Sequence, residues 1–458
     1  MTLPLTQDLV RLVQAISYDV VPKDVLEKTK YCVLDYLADA VAGKAAGLPS
    51  VELAYRLAAE NGGLPESTVI GSGLRAPAAE AAFVNSISGE VLELGDGENS
   101  VIGHPGQAVV PAALAIAERL VNTEGREKVS GPDFLEAVLA GYEAFLFVGE
   151  TIMPEAYDRG FSASGSLGNF GAGAAAGRLY GFNDEKMKDV IALSACAAGF
   201  LRSWNLTGTM DKDLMVGDST RRGVLAGILA QLGYTGSDAI LEGEVGFCQA
   251  MRGEARPVRR RPGEYRIRQV YFKPYPCCRA THGAIDAALA LYREGLRAED
   301  VESLVIQSDT RGSLVAIPEP SSFVAIRFSQ QYAAAAALIA GQATIREYTE
   351  DFAARPDVRR LLKKIRVETD PSLDEGWPER DYSRRITATL KDGSQKSAYV
   401  HDIKGSVPNP MTMDEVEAKC RSLFATLYDT ERTEKIIRLC LRLEELADLR
   451  ELTSLLGR

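Results

Sequence analysis

The sequence is poor in histidine, with 3 in 458 residues, and it carries no excess of basic side chains. So few imidazoles leave little material for a histidine-built metal centre, and proton exchange near neutral pH has few places to sit. Lysine and arginine total 52 against 63 aspartates and glutamates, a formal charge of −11. Such an acidic balance argues against nucleic acid or an anionic membrane as partner, because both reward positive charge. A small anionic substrate is still compatible, since it reads only the groups inside a cleft. The 7 cysteines are odd in number and irregularly spaced, and Cys277-Cys278 is not a CxxC pair. That pattern suits reduced thiols in the cytoplasm and not a disulfide framework, a zinc site or a dithiol redox centre. No apolar run approaches the ~20 residues of a membrane crossing. Met1 to Asp8 has no basic-then-apolar leader pattern, so no secretory signal is expected. Internal repeats and low-complexity segments are also missing.

What the chain does have is length and apolar content, 46% hydrophobic, enough for a large core divided over two domains. Between Asp24 and Ala42, Val25, Cys32, Val33, Tyr36, Leu37, Ala40 and Val41 recur at helical spacing, with Gly43 as a stop signal. The same texture predicts helices over 78–91, 109–120, 132–149, 167–179, 185–198 and 221–232. Past Met251 it changes: Arg252, Arg256, Arg259, Arg260, Arg261, Arg266 and Arg268 crowd around Pro257, Pro262 and Gly263, which reads as a solvated linker at a domain boundary. Strand character follows at 268–272, 301–306 and 364–368, and alternation about Asp392-Gly393 over 386–400 predicts a hairpin. Helices over 282–294 and 327–340 lie between these strands, and the tail from Met413 is helical again. The fold expected is mostly α: a large all-helical domain from both chain ends, 1–265 and 405–458, with a smaller α+β domain, 266–404, inserted between them.

Four segments could carry chemistry. Glu93 to Gly106 is a polar, glycine-rich loop between two apolar helices that gathers Glu93, Asp96, Glu98 and His104. His104 suits acid–base work, although a capping loop with a solvated histidine would look the same. Arg159 to Gly177 has many glycines but no preceding strand and no phosphate-loop spacing, so a nucleotide site is rejected. It reads as a closely packed helix whose N-terminus, with Ser162 and Ser164, favours a carboxylate. Gly208 to Asp218 reads as a polar turn ahead of a helix starting near Arg221, and Lys212 there has the ordinary expectation of a solvated lysine. Phe272 to His282 is stiffened by Pro274 and Pro276, which fix the directions of Lys273, Cys278, Arg279 and His282. A turn closing a strand is the plain alternative.

In this order and spacing the segments resemble the MmgE/PrpD family over nearly the whole chain. The most specific parts are Ala82-Phe83-Val84-Asn85, His104-Pro105-Gly106 with Val110-Pro111-Ala112-Ala113, Gly165 to Gly181, Lys273-Pro274-Tyr275-Pro276-Cys277, and Arg327-Phe328-Ser329 with Tyr332. The resemblance implies a homodimeric enzyme without metal or organic cofactor that acts on small di- or tricarboxylates by removing a proton α to a carboxylate. It implies that His104, Lys212 and Lys273 line the site. On that basis His104, then Lys212, is the expected base; Lys273 and Arg279 would hold carboxylates, and Tyr332 or Asp96 would assist a leaving group. Ser162, Ser164, Cys278, His282 and Glu93 are the remaining substrate-side candidates. The departures count too. Ser162, Met215 and Cys278 stand where the family commonly carries histidine, and a serine hydroxyl cannot exchange protons unaided at neutral pH. A dehydratase-like lyase is therefore the first expectation, with epimerase or decarboxylase activity behind it and a non-catalytic scaffold last.

Overall fold

The computed structural model describes residues 4–457 apart from 205–207, 259, 262 and 377–381, so Arg259 and Pro262 of the basic run lie outside the described residues. The helices of ten or more residues are α1 Leu5–Gln14, α2 Lys23–Ala45, α3 Pro49–Asn61, α4 Ala78–Glu90, α5 Gly106–Asn122, α6 Gly131–Ile152, α7 Ala163–Leu179, α8 Asp184–Cys196, α9 Asp211–Gln231, α10 His282–Arg293, α11 Gln330–Ala340, α12 Met413–Phe424 and α13 Thr430–Leu441. Helices α2, α4, α5 and α7 are buried on nearly every face, which a helix can sustain only at the centre of a helical body. Small residues let them approach: a Cβ at Gly141 of α6 would stand 2.7 Å from the carbonyl oxygen of Gly171 in α7, and one at Gly223 of α9 would stand 2.6 Å from that of Asn169. The glycine run of α7 is thus a packing surface, as its spacing suggested. The C-terminal α12 and α13 return to pack on α2, so both chain ends build this body.

The smaller domain has a four-stranded sheet. β3 Val301–Ser308 lies parallel to β4 Ile365–Thr369 on one side and antiparallel to β5 Arg384–Leu390 on the other, and β6 Gln395–Val400 pairs with β5 at the edge. Ile306 stands opposite Ile386, and Ile386 opposite Ala398, so the apolar side chains share one face beneath α10 and α11. A second apolar core forms there around Ile285, Leu304, Ile326, Tyr332 and Ile386. Phe323, Val324 and Phe328 instead pack with the core of the helical body.

Three local expectations are corrected. Residues 268–272 are not a strand: Arg266–Gln269 form a 3-10 turn, and only Tyr271 pairs, through two backbone hydrogen bonds with Gly97. The helix expected from Arg221 starts ten residues earlier, at Asp211. The helical body also contains a short hairpin, β1 Ser67–Thr68 with β2 Arg75–Ala76. The described arginines of the basic run are, for the most part, not solvated. Arg252 and Arg256 pair with Glu155, Arg260 with Glu143 and Glu150, Arg266 with Glu98 and Glu150, and Arg268 with Asp24. Among the described residues no helix is long and apolar enough to cross a membrane.

Candidate functional site

A cleft with a cavity of about 130 Å³ opens between the helical body and the smaller domain. From the body come Glu90, Glu93, Glu98, His104, Ser162, Ser164, Arg202, Trp204, Lys212 and Met215; from the smaller domain come Cys278, Arg279, Arg311, Phe328 and Tyr382. Lys212 owes its place to the early start of α9, which puts it in the first turn, buried, with Trp204 and Phe328 ring centres 5.8 and 5.9 Å from its Nζ.

His104 stands at the mouth of α5. Its Nδ1 lies 2.6 Å from the backbone oxygen of Asp96, and a carbonyl can only accept, so Nδ1 carries the proton and Nε2 is the bare nitrogen. Its backbone N–H donates to Ser164 Oγ at 3.1 Å. The loop glycines make room for this: a Cβ at Gly97 would sit 2.5 Å from the Tyr271 hydroxyl and 3.0 Å from His104 Nδ1. Burial, reinforced by the nearby Lys273, lowers the imidazole to about 3, so it is neutral.

Behind the histidine runs a buried chain of charges. Lys212 Nζ contacts carboxylate oxygens of both Glu90 and Glu93, and Glu93 Oε2 accepts from Lys273 Nζ at 3.0 Å. Burial alone would raise Glu93, but Lys212 and Lys273 outweigh it and hold this carboxyl below the usual range. Glu90 goes the other way, pushed up to about 7 by burial against the pull of Lys212. Burial would lower Lys212, but Glu90 and Glu93 raise it, so it is an ammonium. The Cys278 thiol is pushed up to about 11 by burial and does not ionise near neutral pH.

The structure gathers His104, Lys212, Glu93, Ser162, Ser164, Cys278 and Arg279 at the cleft and sets the other candidates apart. Lys273 is buried behind Glu93 and reaches the cleft only through it. The Asp96 carboxylate is turned inward, accepting from Tyr142 Oη at 2.6 Å and Gly106 N at 3.0 Å, so it cannot assist a leaving group; its carbonyl aligns His104. Tyr332 is wholly buried in the smaller core, its hydroxyl donating to the Glu347 carbonyl. His282 is likewise buried, with Nε2 3.2 Å from the carbonyl of Cys277. Ser162 spends its hydroxyl capping α7, accepting from Gly165 N at 3.4 Å. Glu90, Arg202, Arg311 and Tyr382 were not foreseen. A carboxylate closing α4, next to the polar glycine-rich loop, was a readable signal for Glu90; the other three come from unrelated segments that converge only in space. Among the described residues no three histidine, cysteine, aspartate or glutamate side chains converge as a metal set.

A neutral imidazole, an ammonium and a guanidinium share a cleft between a helical body and an inserted α+β domain, an arrangement chemically able to exchange a proton near a bound anion. The chain belongs to the MmgE/PrpD family: the family's N-terminal domain matches residues 7–259 and its C-terminal domain matches 275–443. It is 29% identical over 449 residues to a cis-aconitate decarboxylase of Homo sapiens, covering 94% of this chain and 90% of that protein. It is 30% identical over 404 residues to the Mus musculus enzyme of that name, covering 83% and 79%. With the Aspergillus terreus enzyme it shares 26% over 475 residues, covering 99% and 96%.

Proposed function

We propose that this chain is a lyase that acts on a small di- or tricarboxylate by moving the proton on a carbon next to a carboxylate. The observation that carries this reading is the neutral, Nδ1-protonated His104 facing a cleft that also holds Lys212 and Arg279. A bound carboxylate brings negative charge next to an imidazole depressed by burial and by cations; that charge lifts its proton affinity and makes Nε2 the base. Arg279, held over the Tyr271 ring at 4.4 Å and tied to the Lys404 carbonyl at 2.9 Å, is placed to grip a carboxylate. Lys212 stabilises the charge that develops as the proton leaves. Lys273 acts by holding Glu93. No organic cofactor or metal is part of the reading, and the protein is proposed to work as a cytoplasmic homodimer with residues 266–404 as the inserted domain.

In the first reading the second bond broken is the C–O bond of a hydroxy acid. The relatives' names favour a second, loss of a carboxylate as CO2. Epimerisation is a third, favoured by Ser162 and Cys278, which leave the cleft with one imidazole where the family commonly has more. Proton NMR in deuterated water, run on a panel of hydroxy, unsaturated and amino polycarboxylates, separates them: a new alkene, a decarboxylated acid, or exchange at carbon with inverted configuration. An H104A protein that is folded and turns over as fast as wild type sinks the mechanism.

A further inference from the structure

The geometry points to Glu90 as the second proton-transfer group of this cleft, an acid that works opposite His104. The assignment rests on the lyase reading and extends it. An elimination needs a base for the carbon-bound proton and an acid for the leaving group, a decarboxylation needs an acid for the carbon that CO2 leaves, and the cleft supplies few groups for that acid. Met215 has no proton to give, a serine hydroxyl such as Ser162 is too weak an acid, and burial makes the Cys278 thiol, raised to about 11, a weaker acid still than an ordinary thiol. Glu90 lines the same cleft and closes α4, where the helix's partial negative end disfavours a carboxylate.

Its partners fix which of the two glutamates can change state. Glu93 meets a cation with each oxygen, Lys212 with one and Lys273 with the other, whereas Glu90 shares Lys212 with Glu93. The charged groups bearing on Glu90 are Lys212 from α9, Glu93 from the loop after its own helix, and Lys273 from the stiff segment. Asp213, next to Lys212 on α9, is itself bound to Ser50 Oγ at 2.7 Å. With all four ionised, the cluster of Lys212, Lys273, Glu90 and Glu93 carries no net charge. An arriving dicarboxylate makes it negative, and the proton that restores balance goes to Glu90, the less tightly paired acid and the one already raised to about 7.

In an elimination, His104 Nε2 then takes the proton from carbon, and the C–H electron pair becomes the new π bond. The C–O pair departs with the Glu90 proton as water. Transfer of the proton from imidazolium to the Glu90 carboxylate restores the enzyme. In a decarboxylation the same acid protonates the carbon that CO2 leaves, and it recovers its proton from water.

The test compares wild type, E90Q and E90D on the substrate the NMR screen selects. E90Q is expected to lose at least about 100-fold in kcat, the scale of a lost general acid, while KM stays within about threefold. Wild-type kcat/KM falls as pH rises through the region of 7, the free-enzyme value of Glu90, and the corresponding limb of kcat lies higher because bound carboxylate raises the acid further; in E90Q both limbs disappear, and E90D keeps them at a lower rate. E90Q still exchanges the carbon-bound proton for deuterium, because His104 is intact. A second readout needs no turnover: binding of succinate near neutral pH takes up as much as about one proton, seen as a calorimetric heat that varies with buffer, and E90Q abolishes the uptake. Should E90Q melt below assay temperature, E90D carries the test, and a pH limb that does not move with the shorter acid overturns the assignment. Wild-type kcat, pH profile and proton uptake in E90Q also overturn it, even where H104A is inactive and the lyase reading stands. A folded wild type that neither turns over nor binds any member of the panel overturns both.

Discussion

The ammonium of Lys273 holds Glu93 twice, through the carboxylate at 3.0 Å and through the residue's own carbonyl at 3.1 Å, and Glu93 has a left-handed backbone at φ 56°. A non-glycine residue in that region costs free energy and persists only where its surroundings over-determine it. Lys273 is that determinant. K273M removes one partner of a buried pair and the tie on the strained peptide, so it is expected to lower stability by about 3 kcal/mol, with Lys212 sparing the rest. Urea denaturation at pH 7 reads this; a loss below about 1 kcal/mol shows that the strained turn is held by something else.

Acid stability should show two opposed contributions. His104 is depressed to about 3, so below its ordinary 6.5 the unfolded chain binds a proton that the folded one refuses, and stability falls as pH drops from 6.5. Glu90, raised to about 7, does the reverse: between its ordinary 4.5 and 7 the folded state holds the extra proton, and stability falls as pH rises. Between pH 4.5 and 6.5, stability should therefore rise with pH more steeply in E90Q than in wild type and less steeply in H104N. Urea midpoints at fixed ionic strength check both signs; equal slopes in all three proteins contradict them.

Arg384 is fully buried and donates to Gln330 Oε1, Asp309 Oδ1 and the carbonyls of Ser383 and Ala280, each at 2.7 or 2.8 Å. It thereby ties together segments that deliver Arg279, Arg311 and Tyr382 to the cleft. A Cβ at Gly312 would overlap its guanidinium, which has no room to retreat. G312A is expected to cost about 1–3 kcal/mol of stability and to raise KM more than it lowers kcat, because it displaces a binding wall and not the proton carriers. Thermal melting with steady-state kinetics checks this.

How far the sequence reached follows from the range of the forces involved. Periodicity located α2 and the β5–β6 hairpin because a helix stripe and an Asp392-Gly393 turn are local matters. It missed the start of α9 because the charged residues between Asp211 and Asp218 look like a turn, while in the fold Lys212 and Asp213 are buried against partners supplied by distant segments and Asp218 pairs with Arg221 and Arg222 one turn on. The strand expected at 268–272 failed because β-forming side chains found no neighbouring strand beyond the single bridge to Gly97. His104 and Lys212 were named from the family pattern, but the inward turn of Asp96 and the core position of Tyr332 depend on packing that no spacing encodes.

The reassignment of Tyr332 has its own test. Y332F removes a hydroxyl bound to the Glu347 carbonyl in the smaller core, so it should cost about 1 kcal/mol of stability and leave kcat/KM within about threefold. A loss of about 100-fold in kcat with stability intact returns the tyrosine to the chemistry.

The arginine-rich crossover between the two domains has one more consequence. On paper it is the stretch that trypsin should cut first, yet Arg252, Arg256, Arg260, Arg266 and Arg268 are each fastened to a carboxylate of the helical body, and the Arg260 side chain is only 7% exposed. A protease must draw a scissile bond into its own groove in extended form, which these ties oppose. Salt will loosen the outer pairs, since charges at the surface are screened over about 10 Å at 0.1 M, but it will leave the buried Arg260–Glu143 pair in place. Limited digestion is therefore expected to spare the bonds after Arg252, Arg260 and Arg266 while the helical body is folded.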